Sequence, residues 1–542
     1  VAKGNSYQNL FHLFKLADDK YNSGLFDFKK DLITPHLKID NKVIKTIIEE
    51  LYYPKCNYEF SVMPVEILGN AYEQFLGKVI HRTPGGVSIK EKPEVRKAGG
   101  VFYTPEFIVE YIVKHTVGKL IEGKTPKEIE KIKIVDPACG SGSFLVGAFE
   151  YLLSYHTNWY HQKGYATKKG KDNPFTHQGT LTTHEKKRIL LSNIFGVDID
   201  ANAVEVTKLS LLLKCMEGET DASIRDQMSM FHERVLPDLD NNIKNGNSLV
   251  DTDVYDNEMN LGQERKIKPF SWKKGFSEVF KQGGFDVVIG NPPYGAEFSE
   301  EQKKYLLNKY NSQNYQLDSY LIFVEQSIKF LLKTEGDFGM IIPNPWLTNL
   351  FQKDLRKFIF ETVAVKEIVH FKDPVFADAT VDTEIILLSR SNPKINKVKI
   401  TLVEKGKNLI TDKNIEIIHS QKDWIAENGE VINIFLSETE KTLFKKIKEN
   451  TLPLETYNDI NVGIKPYQVG KGNPKQTKSD VESRLFDSNT KKDKTYRKYL
   501  RGRDINRYVT NSLEERYIKF GEWLAEPRQS ANFDAPIKMF MR

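Results

Sequence analysis

Between residues 101 and 390 the chain alternates short apolar runs with longer stretches whose apolar residues recur every three or four positions. The runs are Ile132–Val135, Ile194–Val197, Val287–Ile289, Gly339–Ile342, Lys366–Phe371 and Glu384–Ser389. They read as strands and the stretches between them as helices, which predicts an α/β fold with a doubly wound sheet. Residues 1–95 are expected to be mostly helical, because NKVIKTIIEELYY (41–53) and PVEILGNAYEQFLGKVI (64–80) carry apolar residues at helical spacing. GGVSIKEKPEVRKAGG (85–100) reads as a linker. After residue 395 Lys and Asn rise and turn residues break the pattern. The expected division is therefore 1–95, 96–395 and 396–542, with a polar insertion at 155–182.

Composition narrows the class only slightly. A chain of 542 residues is too long for one core. Its net charge of +6 admits a nucleic-acid partner without requiring one. The three cysteines, Cys56, Cys139 and Cys215, are far apart, so neither a metal site nor a disulfide framework is expected, and a reducing, cytoplasmic location fits. No apolar run has the length of a membrane span, and VAKGNSYQNL is not a signal peptide. The chain has no initiating Met and halts within FDAPIKMFMR, so it is expected to be a piece of something longer.

Two motifs carry chemistry. KIKIVDPACGSGSFLVGAFEYLL (131–153) reads as strand, Gly-rich turn and helix. Asp136 ends that strand, Gly140 and Gly142 permit close backbone approach, and Ser143 is placed to cap the helix. In FGVDIDANAVEV, Asp198 ends a second strand, where a carboxylate can accept from both hydroxyls of a ribose. The phosphate-binding glycine spacings are absent, and an acid opening the turn would repel a pyrophosphate. It suits a cationic ligand instead, and S-adenosylmethionine (SAM) offers an ammonium, a sulfonium and a ribose.

The second motif, DVVIGNPPYG (286–295), is a strand running into a stiff diproline corner. The amide oxygen of Asn291 and the carbonyl of Pro292 can converge as two acceptors for an aromatic exocyclic amine. Such an amine is a poor nucleophile until its lone pair is freed from the ring. Tyr294 offers a face on which a base can stack. Inside a duplex this geometry requires the base to be flipped out.

DPACGSGSF, GVDID and GNPPYG, in this order, resemble the amino-DNA methyltransferases. The Asn-Pro-Pro-Tyr form is similar to the enzymes that methylate adenine N6, and GGVFYTPEFIVEYIV (99–113) resembles their other SAM-contacting motif. The motif order is that of the γ class. Over about residues 60–542 the chain resembles the modification part of type IIG restriction-modification enzymes. The resemblance implies a Rossmann-like SAM-dependent methyltransferase domain followed by a target-recognition domain, acting on double-stranded DNA. Position by position, it implies Tyr103, Thr104 and Pro105 near the methionine part of SAM. It implies Asp136, Ala138 and Gly140 along the turn, Asp198 on the ribose and Ile199 on the adenine ring. Asn247 stands where the family commonly has an Asp reading the adenine amine. Asn291 and Pro292 would hold the target amine, with Tyr294 and Phe376 on the two faces of the flipped base. The 62-residue step from Asp136 to Asp198 is longer than a plain βαβ unit, and the excess is the insertion.

In the C-terminal part, Arg501, Arg503 and Arg507 lie close together with Tyr499 and Tyr508 interleaved, a composition suited to phosphates and guanine edges. The recognition domain is expected to be incomplete. No acidic pair followed by E-x-K stands on a convincing strand pair, DFKK and KEKPEV being the nearest. Mg²⁺ is therefore expected only if a nuclease domain lies elsewhere in the full-length protein. Two alternatives stay open: a non-catalytic DNA-binding or specificity subunit with a degenerate methyltransferase fold, and an RNA or protein methyltransferase. The oligomeric state is left open, a monomer included.

Overall fold

The structure is a computed structural model. It describes residues 6–21, 28, 31–57, 67, 69, 71, 78–83, 86–91, 104–165, 173–176, 179–219, 236–255, 267–312, 317–376, 382–458, 461–507, 509–510 and 515–528. The chain divides into two compact units, Val1–Glu438 and Thr439–Arg542.

The first unit is built on a nine-stranded sheet. In chain order its strands are β3 (Ile134–Asp136), β4 (Ile194–Asp198), β5 (Ile243–Asn245), β6 (Phe285–Gly290), β7 (Leu332–Pro343), β8 (Ala364–Phe371), β9 (Thr383–Ser389), β10 (Lys397–Val403) and β11 (Ile415–Ser420). They lie in the order β11-β10-β8-β9-β7-β6-β3-β4-β5. β5, β4, β3, β6 and β7 run parallel, β9 is antiparallel to β7 and β8, and β11 is antiparallel to β10.

Consecutive strand residues are buried because helices cover both faces. On one face Ile134, Val287, Ile289 and Ile341 pack with Ile108 and Ile112 of the helix Glu106–Val113, and with Leu145 and Phe149 of the helix Ser143–Gln162. On the other, Val135, Val288, Phe338 and Ile342 pack with Leu321 and Val324 of Ser319–Gln326, and with Leu355 and Ile359 of Lys353–Thr362. The doubly wound α/β architecture is thus as expected, and all six anticipated strands lie in the sheet.

Several expectations need correction. Residues 78–83 and 86–91 form an antiparallel hairpin, β1 with β2, where helix and linker were anticipated. The Ile/Val/Ser/His alternation there suits a pleat better than a helix. The boundary at 395/396 is displaced: β10 and β11 belong to the large sheet, with Val398 and all of Ile400, Thr401, Leu402 and Val403 buried. Lys397 and Lys399 interrupt the apolar run and hide the strand. Residues 155–162 are the last turns of the helix that begins at Ser143, so the insertion starts later than expected. Gly142, not Ser143, is the N-cap of that helix.

In the second unit β12 (Asp487–Ser488), β16 (Tyr517–Lys519) and β13 (Tyr496–Lys498) form a small antiparallel sheet in that order, and β14 (Ile505–Asn506) pairs with β15 (Val509–Thr510). Tyr467 stacks on Phe486 at 5.7 Å, and Ile518 and Leu524 are buried. Among the described residues no helix is long and apolar enough to cross a membrane.

Candidate active site at the carboxyl edge of the sheet

Parallel register brings the tips of β4, β3 and β6 side by side. Asp136 pairs with Gly196, and Val135 pairs with Val288, so Asp136, Asp198 and the residues after Gly290 share one edge. Adjacent strands lie about 4.8 Å apart. The closeness has a steric consequence: a Cβ on Gly290 would stand 2.7 Å from Asp136 Oδ1.

The Gly-rich turn is held by its two acids. Asp136 Oδ1 accepts from the Ala138 N–H at 2.9 Å, and Asp198 Oδ2 accepts from the Gly140 N–H at 2.9 Å. The other Asp198 oxygen accepts from the Asp200 N–H at 2.8 Å. Gly142 adopts φ 90°, and a Cβ there would stand 2.9 Å from Thr207 Cγ2, so only glycine fits comfortably. Thr207 Oγ1 donates to the Gly140 carbonyl at 2.8 Å, which closes the turn against the helix Ala201–Met216. Burial pushes the Asp136 carboxyl up to about 8, with the Asp198 charge adding to the effect. Burial raises Asp198 as well.

The β4 tip is fixed by residues the sequence reading passed over. Asn245 Nδ2 donates to the carbonyls of Asp198 and Ile199 at 2.9 and 3.1 Å, and Lys268 Nζ donates to the Ile199 carbonyl at 3.0 Å. Ile199 itself is 48% exposed, an apolar side chain left facing solvent at the edge. Asn247 is buried, and its Oδ1 accepts from the Leu249 N–H at 3.1 Å. That bond is local, an Asx-type turn, and it leaves the Asn247 amide nitrogen as the available donor.

The diproline corner follows β6. Pro292 is buried and Pro293 exposed. Asn291 Nδ2 donates to Thr104 Oγ1 at 3.1 Å, while Asn291 Oδ1 accepts from the Tyr294 hydroxyl at 2.6 Å. That hydroxyl also lies 3.1 Å from the Ile341 carbonyl on β7. Burial, with the Asp318 charge, holds the Tyr294 phenol well above its ordinary range, so it remains a donor. Its ring meets Tyr320 edge-on at 5.9 Å. Below the corner, Asp318 and Ser319 act as a brace. Asp318 Oδ1 accepts from Gly295 N–H at 3.1 Å, Ser319 Oγ donates to the Pro293 carbonyl at 2.6 Å, and Ala296 N–H donates to Ser319 Oγ at 3.2 Å. An Asp-Ser pair opening the buried apolar run that follows it was the available sequence signal for this brace.

The expected residues therefore separate into groups. Thr104, Asn291 and Tyr294 form one bonded chain, while along the turn Asp136 pairs with Ala138 and Asp198 with Gly140. Pro105 starts the helix Glu106–Val113 as its N-cap. Tyr103 lies outside the described residues, as does Tyr508. Phe376 is only 4% exposed and packs in the core cluster that contains Phe371 and Val403, so it is not open to a ligand in this state. In the second unit the Arg501 guanidinium pairs with Asp487 at 3.1 Å, and its backbone N–H donates to Asp504 Oδ2 at 2.9 Å. Arg503 and Arg507 are exposed.

The chain is similar in sequence and in fold to known proteins. Residues 192–376 match the family described as the Eco57I restriction-modification methylase. The type II restriction enzyme and methyltransferase RM.Eco57I of Escherichia coli is 32% identical over 455 residues, 81% of this chain and 43% of that protein. RM.MjaORFECS2P of Methanocaldococcus jannaschii is 24% identical over 93% of this chain and 52% of its own length. The chain thus spans about half the length of these curated relatives. The solved structure of the type IIL restriction-modification enzyme MmeI in complex with DNA aligns at a TM-score of 0.51 and 12% identity, covering 89% of this chain and 57% of that one. At that identity the likeness speaks for the fold alone. The acidic tip of β4, the diproline corner after β6 and the strand β7 behind it all fall inside residues 192–376, the span that is similar to the Eco57I restriction-modification methylase family.

Proposed function

We propose that the chain is the modification part of a restriction-modification enzyme and methylates adenine N6 in double-stranded DNA, with SAM as methyl donor and the target base flipped out. The observation that carries this reading is the Asn291 amide. It stands at the sheet edge with its nitrogen engaged by Thr104 and its oxygen directed at Tyr294, beside the tip that bears Asp136.

The residues present suit the cofactor. Asp136 is buried, and no basic side chain among the described residues pairs with it, so its site favours a cation. Asp198 keeps lone pairs free beyond its two backbone bonds, enough to accept from a diol. Asp136, Ala138, Gly140, Asp198, Ile199 and Asn247 would hold the cofactor, with Thr104, Pro105 and Tyr103 at its methionine end. The cofactor supplies an electrophilic methyl group.

The chain's own residues do the rest. Asn291 Oδ1 and the Pro292 carbonyl accept the two N–H groups of the target amine and favour a pyramidal nitrogen whose lone pair projects outward. Tyr294 supports the ring of the extruded base. Ser319 and Asp318 keep the corner from relaxing by pinning the Pro293 carbonyl and the Gly295 N–H. Phe376 would close over the opposite face after moving from its buried position. Arg503 and Arg507, exposed on the second unit, would contact the DNA backbone, with Arg501 held as their structural support by Asp487.

The decisive experiment replaces Asn291 with Ala. Transfer of labelled methyl groups from SAM to unmodified genomic DNA should fall to background, while calorimetric titration still shows SAM binding. Turnover near that of the parent chain would overturn the role of Asn291.

A further inference from the structure

Lys268 touches two residues that the cofactor reading sets around the adenine, Asn247 at the ring edge and Ile199 on its face. It has φ 50°, a left-handed backbone that strains any residue with a Cβ. Its carbonyl accepts from the Asn247 N–H at 2.6 Å, and Pro269, the next residue, bridges to Asn247 as in a parallel pair. Its half-buried side chain runs to the β4 tip, where Nζ donates to the Ile199 carbonyl at 3.0 Å. The sense of that bond is fixed, because an ammonium can only donate and a carbonyl can only accept. Asn245 Nδ2 donates to the same carbonyl at 3.1 Å, so two side chains grip the Ile199 peptide. The Ile199 side chain is 48% exposed, and its orientation therefore depends on the peptide that carries it. A glycine at 268 would keep the main-chain bond to Asn247 without the strain, so what the lysine adds is its ammonium. Burial raises the Asp198 carboxyl, and the Lys268 charge opposes that rise.

We propose that Lys268 is a positioning residue for the adenosine end of the cofactor: its carbonyl sets Asn247 at the ring edge, and its ammonium pins the Ile199 peptide and so the apolar face on which the ring packs. This rests on the methyltransferase reading, which supplies SAM, and adds a residue that none of the motifs contains. Because one residue makes both contacts, the spacing between edge and face is set within a single residue's reach. Losing the ammonium leaves Asn245 alone on the Ile199 carbonyl and weakens binding by about three- to tenfold. SAM and S-adenosylhomocysteine share the adenosine and differ at sulfur, so both should suffer alike.

The test is calorimetric titration of the whole chain with SAM and, separately, with S-adenosylhomocysteine, alongside thermal melts. Lys268→Met keeps the apolar stem and removes the donor. It should raise both Kd values by about three- to tenfold, with the two ratios agreeing within about twofold. Lys268→Gly relieves the backbone as well, and should show the same loss of affinity at a higher Tm than Lys268→Met. It also keeps the measurement available if Met does not fold. Lys268→Arg restores a donor and should return both Kd values to within about threefold of the parent chain. Parent-like affinity in the Gly variant overturns the proposal, because any loss in Met is then a folding defect. An Arg variant as weak as Met overturns it too, as does a loss for SAM that S-adenosylhomocysteine does not share. A parent chain that binds neither ligand overturns both this proposal and the reading on which it rests.

Discussion

The Tyr294 hydroxyl lies 2.6 Å from Asn291 Oδ1, so the oxygen that would receive a target amine already has a donor from its own chain. An arriving base must displace or share that bond, and the phenol has the Ile341 carbonyl, 3.1 Å away, to receive its proton instead. On the proposed reading the two acceptors would allow a simple exchange, in which the hydroxyl turns to the strand as a base takes its place.

This predicts opposite behaviour for two substitutions at one position. Tyr294→Phe keeps the ring and removes the competing donor, so methyl transfer should stay within a few-fold of the parent. Tyr294→Ala removes the stacking surface, worth about 1–3 kcal/mol, and kcat/KM should drop by about 5- to 150-fold. Steady-state assays on both variants check this. Equal losses would show that the hydroxyl, not the ring, is what matters.

The Asp136 carboxyl, pushed up to about 8 by burial, is protonated in the folded chain at neutral pH. A cation docking beside it favours the carboxylate, so SAM binding should release a proton and tighten between about pH 6 and 8. Calorimetry in two buffers of different ionisation enthalpy reads the release directly, and Asp136→Asn should abolish it. The sign for stability is opposite. The folded chain holds a proton that the unfolded chain surrenders above the ordinary carboxylate range. This group's stabilising contribution is thus complete below that range and lost as pH rises through 8. Equal heats in the two buffers would refute the coupling.

Gly142 combines φ 90° with a Cβ position 2.9 Å from Thr207 Cγ2. Gly142→Ala should cost about 1–3 kcal/mol, through backbone strain and contact with Thr207. Adding Thr207→Ala should not restore stability fully, because it leaves the backbone strained and removes the bond to the Gly140 carbonyl. Denaturant midpoints of the single and double variants measure both parts.

If Arg503 and Arg507 each meet a phosphate, replacing either with Gln should reduce the slope of log affinity against log salt by about one and weaken binding to all sequences alike. Fluorescence anisotropy with a mixed-sequence duplex across a salt series checks this. An unchanged slope would remove these residues from the DNA surface. Arg501→Gln should instead lower the thermal stability of the second unit, because its guanidinium is committed to Asp487.

How much of this was legible in the sequence depends on how local each signal is. The strands around Val135, Val197, Val288 and Ile341 announced themselves, because a strand covered on both faces is apolar without interruption. The acids at strand tips and the diproline corner were legible for the same reason: their chemistry is written in consecutive residues. The partners of that corner were not. Thr104 stands 187 positions from Asn291, and Ser319 stands 26 from Pro293, and no spacing rule links them. Phe376 shows the converse. A single aromatic matches a motif well enough, yet its packing depends on neighbours that the motif does not contain.

The strands at 397–403 and 415–420 also bear on how such chains can be recombined. A graft that exchanges the C-terminal unit after residue 395 would strip β10 from β8 and leave a long hydrogen-bonding edge bare, an invitation to intermolecular pairing. A junction just past Glu438 spares the whole sheet. Hybrids spliced at the earlier point should precipitate on expression, whereas those spliced at the later one should remain dispersed and keep their affinity for SAM.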